Sequence, residues 1–460
     1  RKIGFNMANI RESQITKEYF LGIISDFKND KYEGHPYDLA QELLDLREIS
    51  EDDYEFICKK MPIELFAEIL CEMPNYIQEE ISDILSDNKI ANITSKMDSD
   101  DASMLIYNIS QNNEEIAETI LSKLNEKDKE IIRQLNSYEE DQAGAYMQNE
   151  LFKASLDEKI GDSLKRLREL KQNDILDNIF HAHIVTSDGK FIGSIGLEEL
   201  ILFEHDLKYK DIPEEKFTNY SLNDKEDIED AVDMFTNYNL SALAVVDSDN
   251  KLLGRITHDD IHDIIQQINT KQLYSLAGVS DDAEHEESIY LIGRNRAIWL
   301  GVNLITAVLA SLVIGIFDAT IQSLVALAIL MPIVASMGGN AGTQTLTVTV
   351  RQMALGEIDY QDAKKIIYKE VVISLVNGVL FATIIGVVAY LWFGLPLLGV
   401  VIGISMIINL FSAGFFGAVI PIILQKKGID PAIGSTVILT TVTDVVGFFS
   451  FLGLATLILI

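Results

Sequence analysis

Cysteine is nearly absent: Cys58 and Cys71 are the only two in 460 residues, they stand 13 apart, and no CxxC occurs. That excludes a disulfide framework and suits a reducing compartment. Catalytic signatures are missing too. No P-loop, GxSxG or HExxH is present, so no enzymatic chemistry is indicated. His181 and His183 form an HxH on an expected strand, but no third ligand lies nearby, and a structural role is favoured over zinc. No signal-peptide pattern opens the chain, and a start at Arg1 instead of Met reads as processed or trimmed.

Basic charge is scarce, and its scarcity is uneven. The formal net charge is −33, from 37 Lys/Arg and 70 Asp/Glu. From Leu291 onward there are eight bases and seven acids, which leaves 29 bases and 63 acids in the first 290 residues. A strongly acidic soluble part is therefore joined to an apolar, nearly uncharged part. Such an acidic surface repels nucleic acid and anionic lipid and attracts cations.

What is present reads in order. Residues 19–137 carry apolar side chains at three-and-four spacing, as in DLAQELLDL from Asp38, ELFAEIL from Glu64 and DDASMLIYNI from Asp100. Gly and Pro are sparse there, so residues 1–137 are expected to form an all-α superhelix of helical hairpins. An internal duplication follows. IVTSDGKFIGSIGLEEL from Ile184 and VVDSDNKLLGRITHDDI from Val245 align without a gap at an offset of 61, with six of 17 positions identical. Each copy reads as strand, turn (Asp188-Gly189 or Asp249-Asn250), strand with a Gly, then helix. The pattern resembles a tandem CBS (cystathionine-β-synthase) pair of α+β domains, with boundaries expected at 138–203 and 204–257.

From His258 an amphipathic connecting helix carries Ile261, Ile264, Ile265 and Ile268 on one face, while Asp259, Asp260 and Asp263 start it on another. With the DDAEHEES stretch it occupies 258–290. Residues 291–460 hold five apolar segments long enough to span a bilayer, at about Ala297–Phe317, Thr320–Met337, Ile367–Phe393, Leu397–Leu424 and Pro431–Ile460. Arg294, Arg296, Arg351, Lys364, Lys365, Lys369, Lys426 and Lys427 all fall on one side, and the loops near Asp318 and Gly394 have no Lys or Arg. The positive side is the cytosol, so the acidic part is expected to be cytosolic and the C-terminus outside.

Asp444 is the one ionisable residue expected deep inside a span. A carboxylate there must face water, a cation or a proton, or stay neutral between helices. Thr440 stands one turn earlier on the same stripe, giving the oxygen ligands that hard cations need. In MPIVASMGGNAGTQT, Pro332 is expected to bend the second span, and Gly338, Gly339 and Gly342 to free its backbone. Asn340, Gln344 and bared carbonyls would then join the same path; an ordinary Gly-rich helix contact is the alternative. One Asp per chain is too little charge for a divalent ion, so a two-fold pore in a homodimer is expected.

Several motifs in this order resemble the MgtE family of Mg²⁺ channels and transporters: YEEDQAGAYM from Tyr138, ITHDDIHDI from Ile256, GGNAGTQ from Gly338, GIDPA from Gly428 and TDVVGF from Thr443. The resemblance implies a plasma-membrane, Mg²⁺-selective channel in which Asp444 and Asn340 recognise the hydrated ion, with Thr440 and Gln344 beside them. It also implies cytosolic gating sites for Mg²⁺ at Asp100 or Asp101, Asp227, Glu229, Asp259, Asp260, Asp263 and Asp430. Asn239 and Lys271-Gln272 stand where the family has acids, so shallower closure is expected. Glu198-Glu199 replaces an Arg-Asp pair associated with nucleotide binding, which argues against ATP regulation. Two further readings remain: an exchanger coupled to Na⁺ or H⁺, and a non-conducting CBS-based Mg²⁺ sensor.

Overall fold

The computed structural model describes residues 15–29, 31–32, 34–173, 175–176, 178–279, 289–354, 363–427 and 429–460. The DDAEHEES stretch and Gly428 lie outside the described residues. The chain divides into two compact units, Arg1–Ile265 and Gln266–Ile460.

The first unit opens with nine short helices among the described residues, from α1 (Lys17–Lys28) to α9 (Glu126–Leu135). Their three-and-four spaced apolar residues form one core, with Phe20, Leu43, Ile57, Phe66, Ile81 and Ile109 wholly buried. Loops are short because caps stop the helices efficiently; the Ser50 side chain, for instance, accepts the Asp53 N–H. One buried polar pair crosses this core, Asn108 Nδ2 donating to Gln78 Oε1 at 2.9 Å.

Two three-stranded sheets follow. In the first, β1 (Lys153–Ser155) lies parallel to β2 (His181–Val185), which pairs antiparallel with β3 (Phe191–Gly196). The second repeats this with β4 (Ser221–Asn223), β5 (Ala242–Val246) and β6 (Leu252–Thr257). The expected duplication is visible residue for residue: His181 pairs with Gly196 and Ala242 with Thr257, and both hairpins carry a register shift, at Ile184/Val185 and Val245/Val246. The turns need positive φ and receive Gly189 (85°) and Asn250 (62°). The first strand of each copy is too short to leave a periodic signal. Helices α10 (Ile160–Gln172), α11 (Leu197–Leu200) and α12 (Ile228–Tyr238) flank the sheets.

The motif at Tyr138 is a tether. Tyr138 donates its hydroxyl to Asp224 Oδ2 at 2.9 Å, while Gly144 N–H donates to the Asp224 carbonyl at 2.8 Å. A Cβ on Gly144 would stand 2.7 Å from the Tyr138 ring, so only glycine fits.

Helix α13 (His258–Ala277) then runs 20 residues, with Ile261 and Ile264 buried as the amphipathic pattern requires. Five helices are long and apolar enough to cross a membrane. They belong to α14 (Ile289–Ile316), α16 (Ala326–Ala354), α17 (Ala363–Phe393), α18 (Pro396–Lys426) and α19 (Ser435–Leu459); a short α15 (Asp318–Ser323) precedes the second. Two expectations are corrected here. The second span begins at Ala326, not Thr320, because the chain breaks into an extended residue at Leu324. It also does not unwind at its glycines: α16 continues through Pro332, Gly338, Gly339 and Gly342 to Ala354. Two of the glycines, Gly338 and Gly342, are close contacts instead. A Cβ on Gly342 would stand 3.0 Å from Leu439, and Gly342 O would lie 2.9 Å from a Cβ on Gly417. In lipid, where apolar burial drives little, such small-residue contacts are what bring helices together.

Candidate functional site

On α16 the residues divide into two faces. Val334, Gly338, Gly342, Thr345, Leu346 and Thr349 are buried, whereas Ser336, Asn340, Thr343, Gln344 and Thr347 are exposed. Ser336, Asn340 and Gln344 follow at i, i+4 and i+8 and so form one polar stripe. Asn340 Nδ2 lies 3.4 Å from Ser336 Oγ within it. On α19, Thr436, Thr440 and Asp444 follow at the same spacing, with Thr440 and Asp444 half-buried. The Thr440 hydroxyl donates to the carbonyls of Thr436 (3.0 Å) and Val437 (3.1 Å).

Two contacts set the relative depth of these stripes. Gly342 of α16 meets Leu439 of α19, and Gly338 of α16 and Gly447 of α19 both meet Asn409 of α18. The helices run oppositely between these points. Asn340, between Gly338 and Gly342, therefore lies within about one turn of the depth of Asp444, with Gln344 and Thr440 each one turn further along their own stripes.

A second acid lies near a span end: Glu370, about two turns into α17, is 8% exposed and accepts a hydrogen bond from Thr345 Oγ1 at 3.2 Å.

Below the stripes, the end of α13 packs on the membrane helices. Leu276 lies against a cluster of Leu346, Val350, Ile420, Ala432 and Leu439. Thr436 Oγ1 donates to the Leu276 carbonyl at 2.9 Å, and Arg351 Nη1 to Asn269 Oδ1 at 2.9 Å.

Several acidic residues of the soluble part lie near one another. Helix α7 (Ser99–Asn112) begins with Asp100 and Asp101, and its N-cap is Asp98. Asp98 and Asp101 are exposed and Asp100 is half-buried, yet one Asp100 oxygen (Oδ1) is wholly shielded and has no partner among the described residues. Desolvation in this dense neighbourhood, then repulsion from Asp101 and Asp260, pushes the Asp100 carboxyl well above the usual range. Desolvation and then Glu150 push Asp98 up to about 6. Asp260 is pushed up to about 6 by desolvation, against the hydrogen bonds from Thr257 N–H (3.1 Å) and Oγ1 (2.5 Å) that favour its charged form. Asp259 and Asp263 add to the field at Asp101. Asp98 and Glu150 were not anticipated. Glu150 accepts from Ser99 N–H and Oγ, a contact between segments 51 residues apart that leaves no local signal.

The remaining candidates sit elsewhere. Asp227 caps α12, accepting the Glu229 N–H at 2.9 Å. Asp430 accepts the Ala432 N–H at 2.8 Å in the turn before α19. Asn239, which replaces an expected acid, ends α12 in the left-handed region at φ 51°, where Asn is tolerated better than most residues. Glu199 pairs with Lys216 at 2.9 Å. Among the described residues no three His, Cys, Asp or Glu side chains converge tightly enough to hold a metal unaided.

A sequence profile described as "Divalent cation transporter" matches residues 331–454, one for the "MgtE intracellular N domain" matches 34–141, and one for the CBS domain matches 210–267. The chain is 30% identical over 327 residues to the magnesium transporter MgtE of Enterococcus faecalis, covering 71% of each chain. It belongs to the MgtE family of magnesium transporters. The MgtE of Bacillus subtilis is 27% identical over 436 residues, 95% of this chain and 94% of that one. The solved cytosolic domain of the Mg²⁺ channel MgtE, in complex with ATP, covers 53% of this chain and 98% of its own at 20% identity, with a TM-score of 0.46. The family assignment makes this a multi-pass magnesium transporter with a soluble N-terminal part, five membrane helices and a CBS domain.

The raised carboxyls predict a local pH response in metal-free protein. They bind protons more tightly folded than unfolded, so protonation favours the assembled cluster, and that contribution fades as pH rises through about 6. His183 has the opposite sign. Its buried imidazole, held down to about 3 by desolvation, must charge on unfolding, so the β2–β3 hairpin weakens as pH falls below its ordinary value of 6.5. Hydrogen exchange, corrected for intrinsic rate, should therefore show 98–108 gaining protection and 181–196 losing it between about pH 7.5 and 5.5. Parallel changes in both segments would refute this assignment.

Proposed function

We propose that this transporter is a Mg²⁺-selective channel, working as a homodimer in the plasma membrane and closed by cytosolic Mg²⁺. The observation that supports it most is the similar depth of two oxygen-bearing stripes, Ser336–Asn340–Gln344 and Thr436–Thr440–Asp444. The first is exposed on a single chain, as a face meeting a pore axis or a partner would be. Mg²⁺ dehydrates reluctantly and keeps several waters, so amide, hydroxyl and one carboxylate oxygen per chain suit it better than a tight cage. Two copies of Asp444 supply a charge of about −2 on a two-fold axis.

Closure follows from the acidic cluster and α13. Carboxyls held above their ordinary range are strained when ionised, and a divalent cation relieves that strain where the cluster is assembled. Asp100, Asp101, Asp259, Asp260 and Asp263 are the candidates for this role, with Asp227, Glu229 and Asp430 as further sites. The end of α13, seated on Leu346 and Leu439 beside Thr436, is the part of the connecting helix suited to act as a plug.

A coupled exchanger is the second reading, and Glu370 favours it. A buried acid apart from the Asp444 stripe is what proton or sodium coupling would use. Reconstituted protein should carry voltage-driven Mg²⁺ current with no Na⁺ or H⁺ gradient; flux that requires such a gradient would establish the exchanger, and no flux at all the sensor. The replacement at Glu198-Glu199 does not exclude nucleotide.

Orientation is tested separately. The segregation of Lys and Arg to alternate loops puts the soluble part in the cytosol and the C-terminus outside. Single cysteines at Asp318 and Lys427 should label from opposite faces of sealed vesicles. Labelling from one face would overturn the five-span topology.

A further inference from the structure

Asn409 is the most deeply buried amide of the membrane part among the described residues, and neither pore stripe contains it. It lies midway along α18 and is 0% exposed. Its Nδ2 donates to the Val334 carbonyl of α16 at 2.8 Å, and its Oδ1 has no hydrogen-bond partner among the described residues. Reversing the amide would set two oxygens face to face, so the donor geometry fixes its orientation. Bare backbone surrounds it on two sides. A Cβ on Gly338 would stand 2.3 Å from Nδ2, and a Cβ on Gly447 2.8 Å from it. Three helices thus meet on one side chain, and two of them give up their own side chains to make room.

A buried amide in a membrane helix, half of it unsatisfied, is a poor choice for stability alone; a leucine, with the same branched skeleton, would leave no orphan oxygen. Position explains the amide better. Gly338 is two residues before Asn340 and lies on the opposite face of α16, while Gly447 is one turn after Asp444 on α19. A contact that grips the back of one helix and the flank of the other sets how far Asn340 stands from Asp444 and how each is rotated.

We propose that Asn409 is a positioning residue for ion recognition, a three-helix clamp that holds the Asn340 and Asp444 stripes at the spacing a hydrated divalent cation requires. It touches no ion itself. The inference rests on the pore reading above, and the experiment separates the two.

Asn409→Leu and Asn409→Ser are purified full length and reconstituted beside Asp444→Asn. Mg²⁺ uptake is measured against Mg²⁺ concentration, and Ca²⁺ uptake alongside it. Loss of the clamp should raise the half-saturating Mg²⁺ concentration at least fivefold in both Asn409 variants and lower the Mg²⁺-to-Ca²⁺ ratio at least fivefold. A merely structural role would reduce the number of competent molecules. It would lower the maximal rate and leave both quantities unchanged, and that outcome overturns the proposal. Should Asn409→Leu not fold, Asn409→Ser, smaller than the native residue, is read by the same two numbers. Asp444→Asn keeps the tests distinct. If it retains wild-type uptake, the pore reading fails; if it is inactive while the Asn409 variants match wild type, the clamp alone fails.

Discussion

Asp444→Asn should lower Mg²⁺ flux by on the order of 100-fold, equivalent to about 3 kcal/mol, while leaving the folded protein intact. The substitution preserves volume and removes only charge. Asp444 stands on α19 within about one turn of the depth of Asn340, and the stripe around it is otherwise neutral: Thr436, Thr440, Ser336 and Gln344. A hydrated divalent ion entering low-dielectric surroundings loses solvation, and a fixed negative charge is the strongest compensation this stripe can give. Neutral oxygens orient the hydration shell but do not replace that well. Thr440→Val should cost much less, because the Thr440 hydroxyl already donates to carbonyls of its own helix. Proteoliposome uptake, normalised to folded protein, decides the matter. Wild-type flux in Asp444→Asn would remove this residue from the conduction path.

Neutralising Asp260 and Asp263 together should leave the pore conducting at cytosolic Mg²⁺ concentrations that close the wild type. The two acids stand on the first turns of α13, and they repel the acids of α7: Asp260 acts on Asp100, and Asp263 on Asp101. A cation bound there stabilises the assembled arrangement by its differential affinity, which is how ligand concentration becomes an equilibrium shift. Asp260→Asn is a mild change structurally, since an amide oxygen can still accept from the Thr257 N–H and hydroxyl that now cap the helix. The competing outcome is that removing like charges lets the cluster assemble without metal, giving a channel closed at all Mg²⁺ concentrations. Inside-out patch recordings distinguish the cases. Inhibition that persists at the wild-type concentration in Asp260→Asn/Asp263→Asn would exclude a gating role. With Asn239, Lys271 and Gln272 in place of acids, the wild-type inhibition curve should itself be shallow.

Much of this architecture is written in local periodicity. The soluble helices could be read because apolar residues at three-and-four spacing have one way to be buried together. The repeated hairpins could be read because Asp-Gly and Asp-Asn turns fit positive φ, down to matching register shifts at Ile184/Val185 and Val245/Val246. The spans follow from the cost of exposing polar backbone to lipid, and within them Asp444 and Asn340 stand out as polar groups in apolar helices, with the family motifs pointing to the same two residues.

What escaped the sequence is what depends on neighbours far along the chain. Gly338, Gly339 and Gly342 read as backbone breakers because isolated glycine weakens a helix. In the folded membrane part the same residues stay helical, and Asn409 and Leu439 occupy the space that side chains on Gly338 and Gly342 would have taken. Glu370 carries no local sign of burial, and only the approach of Thr345 from α16 shows it to be buried. Asp98 and Glu150 joined the acidic cluster through contacts no window of sequence contains. Composition and spacing thus determined which segments are helical, repeated or membrane-spanning, because those properties follow from each residue and its near neighbours. Tertiary structure alone decided whether a small residue is a break or a contact, and which carboxylates share one field, because both depend on what another helix brings to the same place.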